Sequence, residues 1–533
     1  MNYHNKKWTV LMPIILAFVL ITGILIGSRI NKNFKGYFIT SSSGIKLESL
    51  LKYINEEYVD PVSTDSLIES VIPSMLKYLD PHSVYIPASD FKASNESLEG
   101  NFEGIGVQFN VQNDTIFIIN TITGGPSEKA GLKAGDRIIK VNDTLVAGIK
   151  ITSDDVMKKL KGQRGTKVEV SVMRNDNPGL TDFIITRDKI PLISVDVSYM
   201  VSKDIGYIKI SKFSRTTRDE FINAIKKLHN QNGKKLIIDL RGNGGGYMDV
   251  ATKIADEILD GGKIIVYTEG KARPKSIIES KPGGLCLNDS IVILIDEWSA
   301  SASEIIAGAI QDNDRGTIIG RRSYGKGLVQ EQSEFADGSA LRLTVARYYT
   351  PTGRCIQKPY NHGMADYYAD LNKRFLHGEF EQKDSIHFPD SLKFVTPGGK
   401  TVYGGGGIMP DIFVPADTTG LTPFYNKVSN KGLIYQFAFS YTDKYRNILL
   451  KSGNYKELKN YLDKQDILGQ FLSFASKKGE RPGKNDILLS ANIITVQIKA
   501  LISRNIFNDD GFYPVLREID NTITTAVKVL DEN

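Results

Sequence analysis

Two short runs hold the residues best suited to chemistry. Ser299-Ala300-Ser301-Ala302-Ser303-Glu304 sets three serines where an apolar run, Ile291–Ile295, gives way to a helix predicted over Glu304–Ile310. Gly325-Lys326-Gly327-Leu328-Val329-Gln330 sets one lysine between glycines, twenty-five positions after Ser301. A serine hydroxyl attacks a carbonyl only when a neighbouring base takes its proton. Lysine can be that base where desolvation keeps its amine neutral. A helix N-terminus adds local positive potential and free N–H donors, which can also hold an oxyanion. Alone, serines before a helix read as an N-cap. Here they are accompanied by Lys326, by Gln330 on the next strand, where its amide could orient the lysine amine, and by Asp239-Leu240-Arg241-Gly242-Asn243-Gly244-Gly245-Gly246, a glycine loop that exposes backbone N–H groups after a third strand.

The elements around these runs alternate strand and helix. Gly206–Ile210, Leu236–Leu240, Ile291–Ile295 and Thr317–Ile319 are short apolar runs of the buried-strand type, and Phe221, Ile222, Ile225 and Leu228 form one face of a helix. This pattern predicts an α/β domain over 190–415, with a polar stretch from Pro359 to Gly406 read as an insertion or flexible loop. Residues 45–98 read as a helical segment broken at Pro61 and Asp80-Pro81, and residues 421–533 as mostly helical. The helical tail carries no functional signal of its own.

Composition limits the function classes. The chain of 533 residues has room for several domains, and its net charge of +6 without a dense basic tract gives no sign of nucleic-acid binding. Two distant cysteines, Cys286 and Cys355, form neither a metal-ligand pattern nor a disulfide framework. Lys6 and Lys7 precede an uncharged apolar run from Trp8 to Ser28, long enough to span a bilayer. Residues 1–30 are therefore expected to be a signal anchor with its basic end in the cytoplasm, a cleaved signal peptide being the alternative although no clear A-x-A site follows; either puts the catalytic part outside the inner membrane, in the periplasm or otherwise extracytoplasmic.

From 100 to 187 the pattern changes to short strands and turns. Gly125-Pro126-Ser127-Glu128-Lys129-Ala130-Gly131-Leu132-Lys133-Ala134-Gly135-Asp136-Arg137-Ile138-Ile139 resembles the A-G-L-x-x-G-D-x-I run of PDZ domains, small β barrels with helices that capture a peptide C-terminus as an added strand. The resemblance implies that Gly104, Ile105, Gly106 and Val107 hold the terminal carboxylate.

Together the runs resemble the carboxyl-terminal processing, or tail-specific, proteases, which combine a PDZ domain with a crotonase-like α/β domain. The matching residues include Leu79-Asp80-Pro81-His82-Ser83-Val84-Tyr85, Asp239-Leu240-Arg241, Ala346-Arg347-Tyr348-Tyr349-Thr350-Pro351-Thr352-Gly353-Arg354 and Gly407-Ile408-Met409-Pro410-Asp411, and the match spans Ile45 to Pro415. The family implies a multidomain α/β fold with the PDZ domain inserted. It also implies Ser301 as nucleophile, Lys326 as base, Gln330 as its aid, and an oxyanion hole from Ala302 with Gly244 or Gly245. It implies no metal or other cofactor, and protein or peptide substrates with free C-termini. Assembly with a second copy or an adaptor protein stays open. One departure stands out: the family often carries Arg-Gly-Pro late in the PDZ helix, where this chain has Leu160-Lys161-Gly162-Gln163, and lysine lacks arginine's bidentate fork.

Three rivals are weaker. Gly320-Arg321-Arg322-Ser323-Tyr324-Gly325-Lys326-Gly327 misses a P-loop because Gly327 stands where a hydroxyl should bind magnesium. None of the six histidines sits in a Ser–His–Asp motif, and no G-x-S-x-G elbow occurs. A PDZ scaffold with a dead protease domain would have no reason to keep Ser301, Lys326 and Gln330 together.

Overall fold

The structure is a computed structural model that describes residues 12–13, 16–23, 42–112, 114–174 and 177–532. Most of the predicted anchor therefore lies outside the described residues; residues 16–23 are helical, with Leu16, Phe18, Val19, Leu20 and Ile21 exposed. The chain divides into two compact units after Ser74. The first holds the helix Ser42–Glu57 and most of the helix Thr64–Leu76, with Leu47, Leu50, Ile68 and Val71 exposed.

The second unit is built on a six-stranded sheet in the order Val195–Met200, Ile205–Ile210, Lys235–Asp239, Ser290–Ile295, Thr317–Gly320 and Ile412–Phe413. Its first pair is an antiparallel hairpin and the remaining pairings are parallel. Parallel neighbours need crossovers, supplied by the helices Thr217–His229, Met248–Asp256 and Ala302–Asp312. These pack Phe221, Ile254, Ile306 and Ile310 on one sheet face, against Ile238, Ile293 and Ile318. The opposite face carries Ile237, Val292, Leu294 and Ile319 and is covered by the final helix, Asn521–Glu532, through Ile523, Ala526 and Leu530. A sheet buried on both faces explains why its strands read as unbroken apolar runs.

A second sheet joins Val84–Ile86, Ala340–Tyr349, Ile264–Gly270 and Arg273–Glu279, with Leu328–Glu334 also paired to Ala340–Tyr349. Strand Val84–Ile86 precedes the PDZ domain yet belongs to this sheet. The two chain connections to the PDZ domain, Asn101–Gly104 and Asp188–Pro191, pair with each other as an antiparallel ribbon. The PDZ domain is thus inserted in the protease domain. Its sheet runs Val107–Gln112, Thr115–Thr121, Arg137–Val141, Lys167–Arg174 and Asn177–Thr186, with helix Ser153–Leu160 opened by a Thr152/Asp155 capping box.

The carboxyl-terminal residues form a helical module around Phe437, Phe471, Ile494 and Ile498. Its helical stretch Asp486–Ile519 is long and apolar enough to cross a membrane, but it kinks at Phe507 and Asn508, and Ile494, Ile498 and Ile502 are buried in the module, as in a core helix. The module also touches the PDZ domain, where Phe439 meets Phe117 edge-to-face at 5.1 Å and Asp443 accepts from Arg137 at 2.9 Å.

The stretch 359–406, expected to be an insertion or flexible loop, carries regular elements rather than a flexible loop. It contains the helix Met364–Leu376 and the hairpin Lys393–Val395/Thr401–Tyr403. Its polar composition reflects a buried network in which Arg374 donates to Ser323 O at 3.0 Å and Arg322 O at 2.7 Å, bracing the segment that leads to Lys326.

Candidate active site

Three loops converge because they leave the C-terminal ends of three adjacent parallel strands. Strand Lys235–Asp239 leads into the glycine loop, Ser290–Ile295 into the serine run, and Thr317–Gly320 into the lysine loop. In open α/β sheets this edge is where ligands gather.

The three serines have different surroundings. Ser299 is fully buried and its Oγ donates to Leu240 O at 2.8 Å; Ser303 is fully buried and its Oγ donates to Asn243 O at 2.8 Å. Both tie the serine run to the glycine loop. Ser301 alone of the three lines the open cavity. Its backbone sits at φ +55°, ψ −112°, a region that costs a non-glycine residue about 1–3 kcal/mol unless its surroundings impose it. Here they do: Ser301 N–H donates to Glu304 Oε2 at 2.8 Å, and Ser301 O accepts from Ile305 N–H at 3.0 Å and Tyr348 Oη at 3.1 Å.

The glycine loop is shaped by Asn243. Its Nδ2 donates to Ile210 O at 3.0 Å, its Oδ1 accepts Gly245 N–H at 2.9 Å and its carbonyl accepts Ala300 N–H at 3.0 Å. Gly245 has φ +105°, and a Cβ there would lie 2.8 Å from Ser301 Cβ, so only glycine permits this approach. The two predicted glycines therefore differ: Gly245 N–H is engaged by Asn243, whereas Gly244 lines the cavity and its N–H has no partner among the described residues. Ala302 N–H, at the first position of its helix, is likewise unpartnered among them.

Glu304 bolts the serine to the lysine loop. Its Oε1 accepts Ser323 Oγ–H at 2.5 Å and Gly325 N–H at 2.7 Å, and its Oε2 accepts Lys326 N–H at 2.9 Å beside the bond from Ser301. Burial pushes this carboxyl up to about 7 despite its donors. Tyr348 closes the clamp from the other side, its Oη reaching Lys326 O at 2.6 Å as well as Ser301 O.

The Lys326 amine is held below its ordinary range, first by desolvation and then by the nearby Arg342 charge, while Glu304 and Asp80 pull the other way. The same desolvation, with Lys326 and Lys358 nearby, pushes His82 down to about 4, so its ring is neutral. Gln330 stands on strand Leu328–Glu334 and lines the cavity with Ser301 and Lys326. Its amide donates to Thr344 Oγ1 at 3.3 Å, and Thr344 Oγ1 donates to Asp80 Oδ1 at 2.9 Å. Gln330 is thus anchored through Thr344 rather than bonded to the lysine amine. The cavity measures about 960 Å³ and is walled by the helix Ala88–Glu99 and by Phe102, Tyr247 and Arg342.

In the PDZ domain, Gly104–Val107 turns between strands Asn101–Gly104 and Val107–Gln112, with Gly106 at φ +73°. Buried Ile105 accepts Ser127 N–H and Oγ–H on its carbonyl, at 3.1 and 2.6 Å. Val107–Gln112 is the end strand of its sheet and shares a core with helix Ser153–Leu160. Lys161, just past that helix, donates to Glu96 Oε2 at 2.5 Å and lies 5.0 Å from the centroid of the Phe102 ring. Glu96 and Phe102 both line the cavity that holds Ser301.

The roles of Glu304, Tyr348 and Arg342 were not read from the sequence, although Ser301-x-x-Glu304 has capping-box spacing. The partners of Tyr348 and Arg342 are remote in sequence, and no local signal exposes them.

Comparison with known proteins identifies the family. The profile of Peptidase family S41 matches residues 204–365, a PDZ domain profile matches 104–183, and a family of unknown function matches 424–508. The chain is 35% identical over 360 residues to a probable CtpA-like serine protease of Staphylococcus aureus, covering 66% of this chain and 71% of the relative. It is 36% identical over 314 residues to the carboxy-terminal processing protease CtpA of Bacillus subtilis, covering 59% and 66%. Among solved structures, a photosystem II D1 C-terminal processing protease aligns at 24% identity and TM-score 0.36, over 70% of this chain and 94% of that one. The chain belongs to peptidase family S41 and is a PDZ-containing carboxyl-terminal processing serine protease.

Proposed function

We propose that Ser301 is the nucleophile and Lys326 the general base, acting on the tails of exported proteins delivered by the PDZ domain. The observation that carries this reading is a desolvated lysine amine in the same cavity as the one serine of its run that faces open space. Neutral Lys326 takes the Ser301 Oγ proton as Oγ attacks the scissile carbonyl. The oxyanion is held by N–H groups of Ala302 and Gly244, a pairing favoured because Gly245 N–H is already engaged. The lysine then gives its proton to the leaving nitrogen as the C–N bond breaks. Water hydrolyses the acyl-enzyme, with Lys326 again the base, and the proton returns to Ser301. Gln330, fixed through Thr344, limits where the lysine amine can swing. The substrate carboxylate is bound at Gly104–Val107 and the tail pairs with the free edge of Val107–Gln112.

The basic-then-apolar N-terminus supports an inner-membrane anchor with an extracytoplasmic protease. The test of the chemistry is digestion of an unfolded reporter with an apolar free C-terminus by the full chain, beside Ser301→Ala and Lys326→Ala. Cleavage that both substitutions abolish and a chelator leaves intact supports the proposal; cleavage that survives either one rejects it.

A further inference from the structure

The last helix, Asn521–Glu532, lies beyond all three matched ranges, yet it is tied to the glycine loop of the active site. Asp520 caps this helix, its Oδ1 accepting the N–H groups of Thr522 and Ile523 at 3.0 Å each. The same carboxylate receives Arg241 in bidentate fashion, Nη1 to Oδ1 at 3.1 Å and Nη2 to Oδ2 at 2.8 Å. Arg241 is the residue that opens the glycine loop. Its guanidinium also contacts Asp239 at the end of strand Lys235–Asp239, with Nη2 to Oδ2 at 2.6 Å and Nε to Oδ1 at 3.1 Å.

The backbone next to Arg241 is fixed as well. Its carbonyl accepts from Lys209 Nζ, and Gly242 N–H donates to Asp296 Oδ1 at 2.9 Å. Both anchors lie on the near side of the loop's entry, within the sheet domain; only Asp520 reaches Arg241 from the covering helix. A cavity of about 280 Å³ lined by Arg241, Asp296, Arg321 and Arg517 adjoins the guanidinium. Without Asp520 the guanidinium would keep only its bonds to Asp239, with this space beside it.

We propose that Asp520 is a positioning residue for catalysis: through Arg241 it holds the loop whose Gly244 N–H meets the developing oxyanion, so the carboxyl-terminal helix is part of the active-site scaffold. This rests on the Ser301–Lys326 reading above. Burial alone would raise the Asp239 carboxyl, but Arg241 and Lys209 hold it well below the usual range, and the guanidinium is gripped between this carboxylate and the side chain of Asp520. Preorganised donors are worth most when they need not move as charge develops, and a small loosening is felt in the transition state before it is felt in binding.

Asp520→Asn tests this, because asparagine caps a helix as well as aspartate but carries no charge for Arg241. Asp520→Ser, a second neutral cap, covers the case in which the first variant fails to fold. In the full chain, kcat is expected to fall about tenfold with KM within about twofold. Affinity for a peptide aldehyde, which needs the oxyanion donors, should fall by the same factor, while that for the matching peptide alcohol holds. Arg241→Gln should give the same losses, and the double variant should add less than about twofold, as expected of residues acting as a pair. Unchanged kcat in both neutral-cap variants, or parallel loss of aldehyde and alcohol affinity, overturns the inference. Ser301→Ala runs alongside: cleavage surviving there overturns the reading of the site, and the inference with it.

Discussion

Replacing Glu304 with glutamine removes a charge from the middle of the clamp at almost constant shape. Four donors converge on this carboxylate, two per oxygen. The amide can keep one oxygen for two of them but must turn an NH₂ toward the other two, at a cost of about 2–4 kcal/mol. A second term depends on pH. The folded value is about 7 against an ordinary 4.5, so the folded state binds this proton more tightly than the unfolded chain. A raised value gives stability that is complete below 4.5 and lost as pH rises through about 7. At about pH 5.5 it amounts to about 2 kcal/mol, and at about pH 8 to almost nothing. Glutamine has no such term. Glu304→Gln should therefore be less stable than the parent by about 4–6 kcal/mol at about pH 5.5 and by about 2–4 kcal/mol at about pH 8. Trp298 stands beside the serine run, and the only other tryptophan is Trp8, so denaturant unfolding followed by tryptophan emission reports this domain. Turnover should fall about 10- to 100-fold, because the serine and lysine backbones lose a shared anchor. A stability gap that stays constant or widens with pH would refute the reasoning, since it would mean that the donors hold the carboxylate charged across the whole range.

Two further substitutions test other parts of the clamp. Tyr348→Phe leaves Ser301 O and Lys326 O without their shared hydroxyl; it should lower stability by about 1–3 kcal/mol and kcat about tenfold, with peptide-tail affinity measured by fluorescence anisotropy unchanged. Arg342→Gln removes a charge that helps hold the Lys326 amine below its ordinary range, so the acid limb of the kcat/KM profile should move to higher pH; a limb that stays or moves lower contradicts that electrostatic account.

Much of this architecture is legible in the chain because local pattern and tertiary role coincide. Ile291–Ile295 and Thr317–Ile319 read as buried strands since both faces of their sheet are covered, and the motifs stand at the strand ends where loops must converge. The polarity of 359–406 imitates a solvated loop, whereas Arg374 and Glu379 brace the lysine loop in ion pairs that composition does not reveal. In the sequence only family resemblance separates Ser301 from Ser299 and Ser303, because the burial and backbone partners of the latter two come from the remote glycine loop. Asp520 and Arg241 are 279 positions apart, and nothing in a tail of ordinary amphipathic helices points back to the glycine loop.

The central claim is that Lys326 activates Ser301. The most direct measurement is mass spectrometric trapping of an acyl-enzyme from an activated peptide ester, followed over pH in the parent, Ser301→Ala and Lys326→Ala chains. The account predicts an adduct on Ser301 alone in the parent, formed faster as pH rises through the lowered value of the lysine, and no adduct in either variant at neutral pH. An adduct on another residue, or acylation of Ser301 that proceeds unchanged without Lys326, would contradict it.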